Sequence, residues 1–108
     1  MCWGASFSDT ETERHMRRIH AATGYVMCPH TAVGHLAMQA FSEDQPDPFI
    51  QVTVATAHPA KFKDVVENTL GQPIGLPKEL ADCASETILS KDMEVSFADM
   101  RAYLIAGN

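Results

Sequence analysis

Basic side chains are scarce in this sequence. Eight Lys and Arg residues stand against fourteen Asp and Glu residues, and the formal net charge is −6. The basic residues are scattered along the chain, apart from the adjacent pair Arg17 and Arg18. Binding to nucleic acid or to an anionic membrane surface needs a concentrated positive patch. We therefore expect neither nucleic acid nor a membrane as a partner.

Cysteine is also scarce, and the three cysteines, Cys2, Cys28 and Cys83, are far apart. An odd number at irregular spacing is neither a disulfide framework nor a zinc ribbon, and it suits a reducing compartment. No apolar run is long enough to span a bilayer. The N-terminus lacks the charged start and the apolar core of a secretory signal. The sequence therefore predicts a soluble, cytoplasmic protein.

Motifs for metal binding and for nucleophilic catalysis are missing as well. Cys28, His30 and His35 were considered as ligands, but the two histidines are five positions apart on a predicted helix and so face different sides. His15 and His20 have the same offset, and we expect both to be solvated. There is no Gly-rich phosphate loop and no Gly-x-Ser-x-Gly elbow. Taken alone, the residues predict no metal site and no catalytic group.

The clearest structural signal is the stretch of residues 49–62, FIQVTVATAHPAKF. Residues 49–55 are apolar and β-branched and follow prolines, which is typical of a buried strand. Thr56 opens a short turn, and Pro59 suits the first position of a helix. A strand that feeds a helix in this way places Thr56 at the carboxyl end of a sheet, where open α/β sheets hold their ligands. The alternative is a threonine that only caps the turn.

Capping signals predict five helices around this strand. Ser8 and Glu11 have the spacing of a capping box, and Gly24 suits the end of that first helix. Cys28 is the N-cap of the second helix by position, although cysteine is a weak cap. The second helix carries small apolar residues at helical spacing, which predicts that it is buried. The helical segments run from Ser8 to Gly24, from Cys28 to Phe41, from Pro59 to Leu70 with Gly71 as terminator, from Leu76 to Leu80 and from Ser96 to Gly107.

These elements predict an α/β fold with one central strand and about five flanking helices. One strand cannot form a sheet, because its backbone donors and acceptors need partners. We therefore expect the partner strands to lie on a chain segment outside these 108 residues. Lys61 and Lys63, beside the predicted strand, are expected to be surface charges, because a Schiff-base lysine must be desolvated to lower its pKa.

Two stretches resemble segments of a known family. Residues 28–34, CPHTAVG, resemble the "acid or Cys, Pro-His-x-Ala-Val-Ala" segment near the C-terminus of threonine synthases. Residues 55–62, ATAHPAKF, resemble their "S/G-T-A-H-P-A-K-F" segment. The acidic loop between the two, and the downstream stretches 65–67 and 76–80, are also similar. Two departures are Cys28, where many relatives have an acid, and Gly34, where alanine is common.

The resemblance covers residues from about 8 to 100, and it implies a pyridoxal-phosphate enzyme of the tryptophan-synthase-like fold (fold type II). Such an enzyme converts O-phospho-L-homoserine and water to L-threonine and phosphate. In that family the Schiff-base lysine and the phosphate loop lie far upstream of these motifs. The resemblance therefore implies that residues 1–108 are the C-terminal part of the cofactor-binding catalytic domain. Residues 1–7 are expected to be a disordered or non-native start.

For the site, the resemblance implies that Thr56 hydrogen-bonds the pyridine nitrogen of pyridoxal 5'-phosphate. It implies no catalytic residue in this chain, and an isolated chain that is inactive and does not retain the cofactor. The partners would be the missing N-terminal portion of the enzyme and its substrate. His58 is expected to cap the helix after Pro59, and Lys61 receives no role. The alternative is a small non-catalytic interaction module, or a truncated gene product, that pairs through an exposed strand.

Overall fold

The chain folds into helices joined by extended segments, and a computed structural model describes residues 3–43, 45 and 48–107. The start of the chain and the predicted acidic loop before residue 48 lie partly outside these ranges. Within them, no helix is long and apolar enough to cross a membrane. The helices are α1 (Asp9–Thr23), α2 (Pro29–Glu43), a 3-10 turn (Pro59–Phe62), α3 (Lys63–Leu70), α4 (Lys78–Ala84) and α5 (Phe97–Ile105).

Both ends of α1 and the C-terminal end of α3 lie where their capping residues predict them. The Ser8 side chain accepts a hydrogen bond from the backbone N–H of Glu11, and the Glu11 carboxylate accepts one from the backbone N–H of Ser8 at 2.8 Å. The predicted capping box is thus confirmed. Gly24 ends α1 and Gly71 ends α3, with φ angles of 74° and 69°. This left-handed backbone favours glycine, which has no Cβ to clash with the preceding turn.

The core lies where α1 packs against α2 and α3. Met16, Ala32 and Val66 are each no more than 1% exposed, and Met27 completes the buried cluster. Partly buried side chains surround it, namely Ile19, Val26, Phe62, Leu70 and Ile74. Burial of α2 is narrower than predicted, because its buried residues are only Thr31 and Ala32. The rest of its small-residue face is half-covered.

The predicted strand at residues 49–55 is wrong, and with it the α/β fold class. In the described part of the chain every regular element is a helix, and residues 49–55 form an extended segment that joins no sheet. Ile50, Val52 and Val54 are 91%, 69% and 76% exposed, not buried. Apolar β-branched side chains favour an extended backbone, but a strand also needs a neighbour for its hydrogen bonds. The described residues supply no such neighbour.

The last two helices lie away from the core. Neither α4 nor α5 contains a buried residue, and Ile88 and Leu89 between them are almost fully exposed. The radius of gyration is 18.9 Å, against about 13 Å for a compact domain of this length. As described, the chain leaves a large part of its apolar surface uncovered, which is unusual for a self-sufficient domain.

Candidate functional site

The turn after residues 49–55 brings Thr56 over the beginning of α2. The backbone N–H of Thr56 donates to Thr31 Oγ1 at 3.3 Å, and Thr56 Oγ1 lies 3.8 Å from Cys28 Sγ. Thr56 as a whole is exposed. The two stretches that carry the family resemblance, 28–34 and 55–62, therefore meet in space at this turn.

Cys28 immediately precedes α2 and makes the contact of an N-cap, as predicted. Its Sγ accepts a hydrogen bond from the backbone N–H of Thr31 at 3.4 Å and lies 3.1 Å from Thr31 Oγ1. Cys28 is 1% exposed. Burial raises the pKa of its thiol, but hydrogen bonds from Thr31, Thr56 and the backbone of Ala57 together outweigh burial and leave that pKa below its ordinary value. The hydrogen-bond donors around Cys28 Sγ thus favour its thiolate form relative to an ordinary buried thiol.

His58 fixes the other end of the turn. Its Nδ1 accepts a hydrogen bond from the backbone N–H of Ala60 at 3.1 Å, so its predicted capping role is confirmed. Lys61 is exposed, and Lys63 forms an ion pair within α3 at 3.5 Å. Neither lysine has the desolvated surroundings that a Schiff-base lysine requires.

The residues considered as metal ligands are engaged elsewhere. His30 packs against Phe62 with ring centroids 4.8 Å apart, whereas His35 packs against His15. Cys28 faces Thr31 and Thr56. Among the residues that the structure describes, no three His, Cys, Asp or Glu side chains are grouped to hold a metal ion.

A second polar cluster joins α1 to α2, and the sequence interpretation missed it. His15 was predicted to be solvated, which is wrong, because it is 3% exposed. His15 Nε2 lies 2.7 Å from His35 Nδ1, and His15 Nδ1 lies 3.1 Å from Arg18 Nη2. A guanidinium can only donate, so His15 Nδ1 accepts and its hydrogen sits on Nε2, which donates to His35. The burial of His15 could be predicted from the sequence, because Thr12 and Met16 lie on the same buried face of α1.

We expect the packing of α1 on α2 to weaken in acid. Burial first, and then the charges of His35 and Arg18, lower the pKa of His15 from 6.5 to about 4. Between these values the unfolded chain binds a proton at His15 that the folded chain does not. The free energy of unfolding should therefore fall as the pH drops from 6.5 to 4, by about 1 to 3 kcal/mol from this residue.

Denaturant unfolding followed by circular dichroism at pH 7 and pH 4.5 measures this loss. His15→Gln keeps an amide in place of the ring and does not titrate, so its loss in acid should be smaller than that of the wild type. His20→Gln, near the end of the same helix and only partly buried, is the matched control and should retain the full loss. Equal losses in the wild type and His15→Gln would contradict this account.

Residues 31–104 match the family described as "Threonine synthase, C-terminal". The chain belongs to the threonine synthase family. Threonine synthase of Escherichia coli K12 is 38% identical over 102 residues, which are 94% of this chain and 23% of that protein. Threonine synthase of Saccharomyces cerevisiae is 38% identical over 68 residues, which are 58% of this chain and 13% of that protein. The crystal structure of threonine synthase from E. coli matches with a TM-score of 0.74 over 93% of this chain and 22% of that chain, at 38% identity.

The family membership confirms the resemblance seen in the two motif stretches. The chain spans less than a quarter of the length of the E. coli threonine synthase. Thr31 and Thr56 lie within the residues that match the C-terminal threonine synthase family, and Cys28 lies three positions before the first of these residues.

Proposed function

We propose that this chain is the C-terminal portion of a threonine synthase that converts O-phospho-L-homoserine and water to L-threonine and phosphate with pyridoxal 5'-phosphate. We also propose that the enzyme acts in the cytoplasm. One observation carries the assignment of the site: the two family motifs, distant in sequence, meet at Thr56. The match of nearly the whole chain to under a quarter of a known threonine synthase supports the assignment to a portion of that enzyme.

Thr56 suits one contact with the ring of the cofactor. Thr56 as a whole is exposed, its described side-chain contact is the one to Cys28 Sγ, and a hydroxyl can both donate and accept. Lys61 and Lys63 lie on the surface and do not suit a covalent link to the cofactor. The described residues therefore fit one wall of the site. The Schiff-base lysine and the phosphate loop would come from the preceding part of the polypeptide.

When bound, pyridoxal phosphate supplies an electron sink for the reacting carbon atoms of the substrate. Thr56 would hydrogen-bond the pyridine nitrogen. A neutral hydroxyl imposes less on the protonation of that nitrogen than a carboxylate does, so Thr56 makes the ring a milder electron sink. His58 and the 3-10 turn that it caps hold the backbone beside Thr56 in place.

The first test is the intact mass of the polypeptide that carries this segment in its source cells. We expect a mass several times the 11.8 kDa of this chain, because the chain spans about 23% of its E. coli relative. A mass equal to that of this chain would contradict the proposal. That result would favour the alternative, a small non-catalytic interaction module.

The second test compares the complete polypeptide with the isolated 108-residue chain. Supplied with pyridoxal phosphate, the complete polypeptide should release phosphate from O-phospho-L-homoserine. The isolated chain should release none, because it has neither a Schiff-base lysine nor a phosphate loop. A phosphate-release assay at equal protein concentrations measures both. Turnover by the pure isolated chain would overturn the assignment to a portion of the enzyme.

A further inference from the structure

The last helix, α5, carries an apolar face that is exposed. Phe97, Met100 and Leu104 follow one another at spacings of three and four residues, which places them on the same side of the helix. They are 83%, 51% and 67% exposed. Ile105 lies at the edge of this side and is 67% exposed as well. We call these four residues the α5 face.

Other sides of α5 are engaged by residues of the same segment. The Ser96 side chain accepts a hydrogen bond from the backbone N–H of Asp99 at 3.3 Å and so caps the start of the helix. Lys91 Nζ lies 5.0 Å from the centre of the Tyr103 ring, within the range of a cation–π contact. These local contacts fix where α5 begins and cover the side of Tyr103, whereas the α5 face stays exposed.

A helix of this length needs a packing partner. α5 has nine residues and none of them is buried. An isolated helix shorter than about 12 residues is marginal in water, because most helical stability in proteins comes from packing an apolar face. Apolar side chains at positions i, i+3 and i+7, as in Phe97, Met100 and Leu104, are also the anchors by which a helix fits into an apolar groove. The groove must lie outside the residues that the structure describes, because these leave the α5 face exposed.

Three observations favour the rest of the same polypeptide over a separate chain as the source of the groove. The chain spans 23% of its E. coli relative, so most of that enzyme has no counterpart in these 108 residues. The residues that match the family extend to Leu104, so α5 is part of the family sequence and not an appended helix. The α5 face is also small, about 14 Å long and 10 Å wide, whereas a standard interface between separate chains buries about 800 Å² on each partner.

We propose that α5 docks Phe97, Met100, Leu104 and Ile105 into an apolar groove on the part of the threonine synthase polypeptide that precedes this chain. This inference rests on the proposed function, because it assumes a longer polypeptide. It gives the C-terminal helix a task at the boundary between the two parts of the enzyme, separate from the turn at Thr56.

The first measurement is hydrogen exchange of the α5 amides in the complete polypeptide, followed by mass spectrometry. Wild-type α5 should exchange at least about 100-fold more slowly than unstructured chain. Leu104→Gln should speed this exchange at least about 10-fold, because an amide without partners is costly in an apolar groove. Ala102→Gln is the matched control. Ala102 is exposed and lies on the opposite side of α5, so this variant should stay within about 2-fold of the wild type.

The second measurement identifies what covers the α5 face. A photoreactive leucine analogue replaces Leu104 in a mixture of ordinary and heavy-isotope-labelled complete polypeptide, and the cross-linked peptides are identified by mass spectrometry. We expect cross-links to residues that precede this chain, with both peptides carrying the same isotope. Cross-links that join ordinary to heavy peptides would show that a second copy covers α5, and would overturn the proposal.

Unprotected α5 in the wild type, or equal acceleration by Leu104→Gln and Ala102→Gln, would also overturn the docking. Phosphate release by the same wild-type samples tests the proposed function separately. A wild type that releases phosphate but leaves α5 unprotected would contradict the docking alone. A wild type that protects α5 and releases no phosphate would support the docking and contradict the proposed function.

Discussion

Thr56→Val should lower kcat of the complete enzyme by about 100- to 1000-fold, the loss seen when one hydrogen-bond donor at a site of developing charge is removed. Valine has the shape of threonine but cannot bond the pyridine nitrogen. It keeps the backbone N–H that donates to Thr31 Oγ1, so the turn should keep its conformation. The measurement is phosphate release under saturating substrate, together with the melting temperature of the apoenzyme, which should not change.

Thr53→Val is the matched control for this variant. Thr53 precedes Thr56 by three residues in the same extended segment, and its methyl group faces Gly34. The substitution removes the same kind of hydroxyl from a position with no described hydrogen bond to Cys28 or Thr31. We expect Thr53→Val to retain nearly full activity. If both valine variants lose the same activity, the effect belongs to the segment as a whole and not to the hydroxyl of Thr56.

Met16→Ala should destabilise the helical core by about 2 to 5 kcal/mol, the usual cost of truncating a fully buried methionine. Met16 is 1% exposed and packs in the cluster that joins α1 to α2 and α3. Few other residues of the chain are buried as deeply, so the loss is a large part of the stability of this core. Denaturant unfolding of the 108-residue chain, followed by circular dichroism at neutral pH, measures it.

The control for this variant is Met100→Ala. Met100 lies on α5 and is 51% exposed, so its truncation leaves no cavity in the core. The unfolding midpoint of Met100→Ala should stay close to that of the wild type. Equal midpoints for the Met16 and Met100 variants would show that the cluster around Met16 does not carry the stability of the chain.

The ends of the helices could be predicted because the signals that fix them are local. The capping box needs only Ser8 and Glu11, three residues apart, and the left-handed backbone at Gly24 and Gly71 depends on the missing Cβ of one residue. The prediction of a strand was wrong for the opposite reason. A strand forms only when a second strand pairs with it, and the local sequence pattern does not show whether such a strand is present. Residues 49–55 are extended as their side chains favour, but they join no sheet.

The candidate site was predicted only in part. The resemblance pointed to Thr56, and the capping position pointed to Cys28, but the contact between them links residues 28 positions apart and could not be read from spacing. The burial of His15 follows from the helix face that it shares with Met16, and the five-residue spacing between His15 and His20 does not indicate that face. Close packing does not require the glycine at position 34, since a Cβ there would meet the Thr53 methyl at an ordinary 3.7 Å.

The separation of α5 from the core determines how tightly α5 must bind to an apolar site elsewhere on the same polypeptide. Residues 71–96, which include α4, tether α5 to the core. A tether keeps its end at a high effective concentration near an apolar site on the same polypeptide. A contact too weak to capture a free peptide is then enough to hold α5 in place. A single cut in the tether would make the same contact bimolecular, and α5 would dissociate at micromolar protein although none of its contacts had changed.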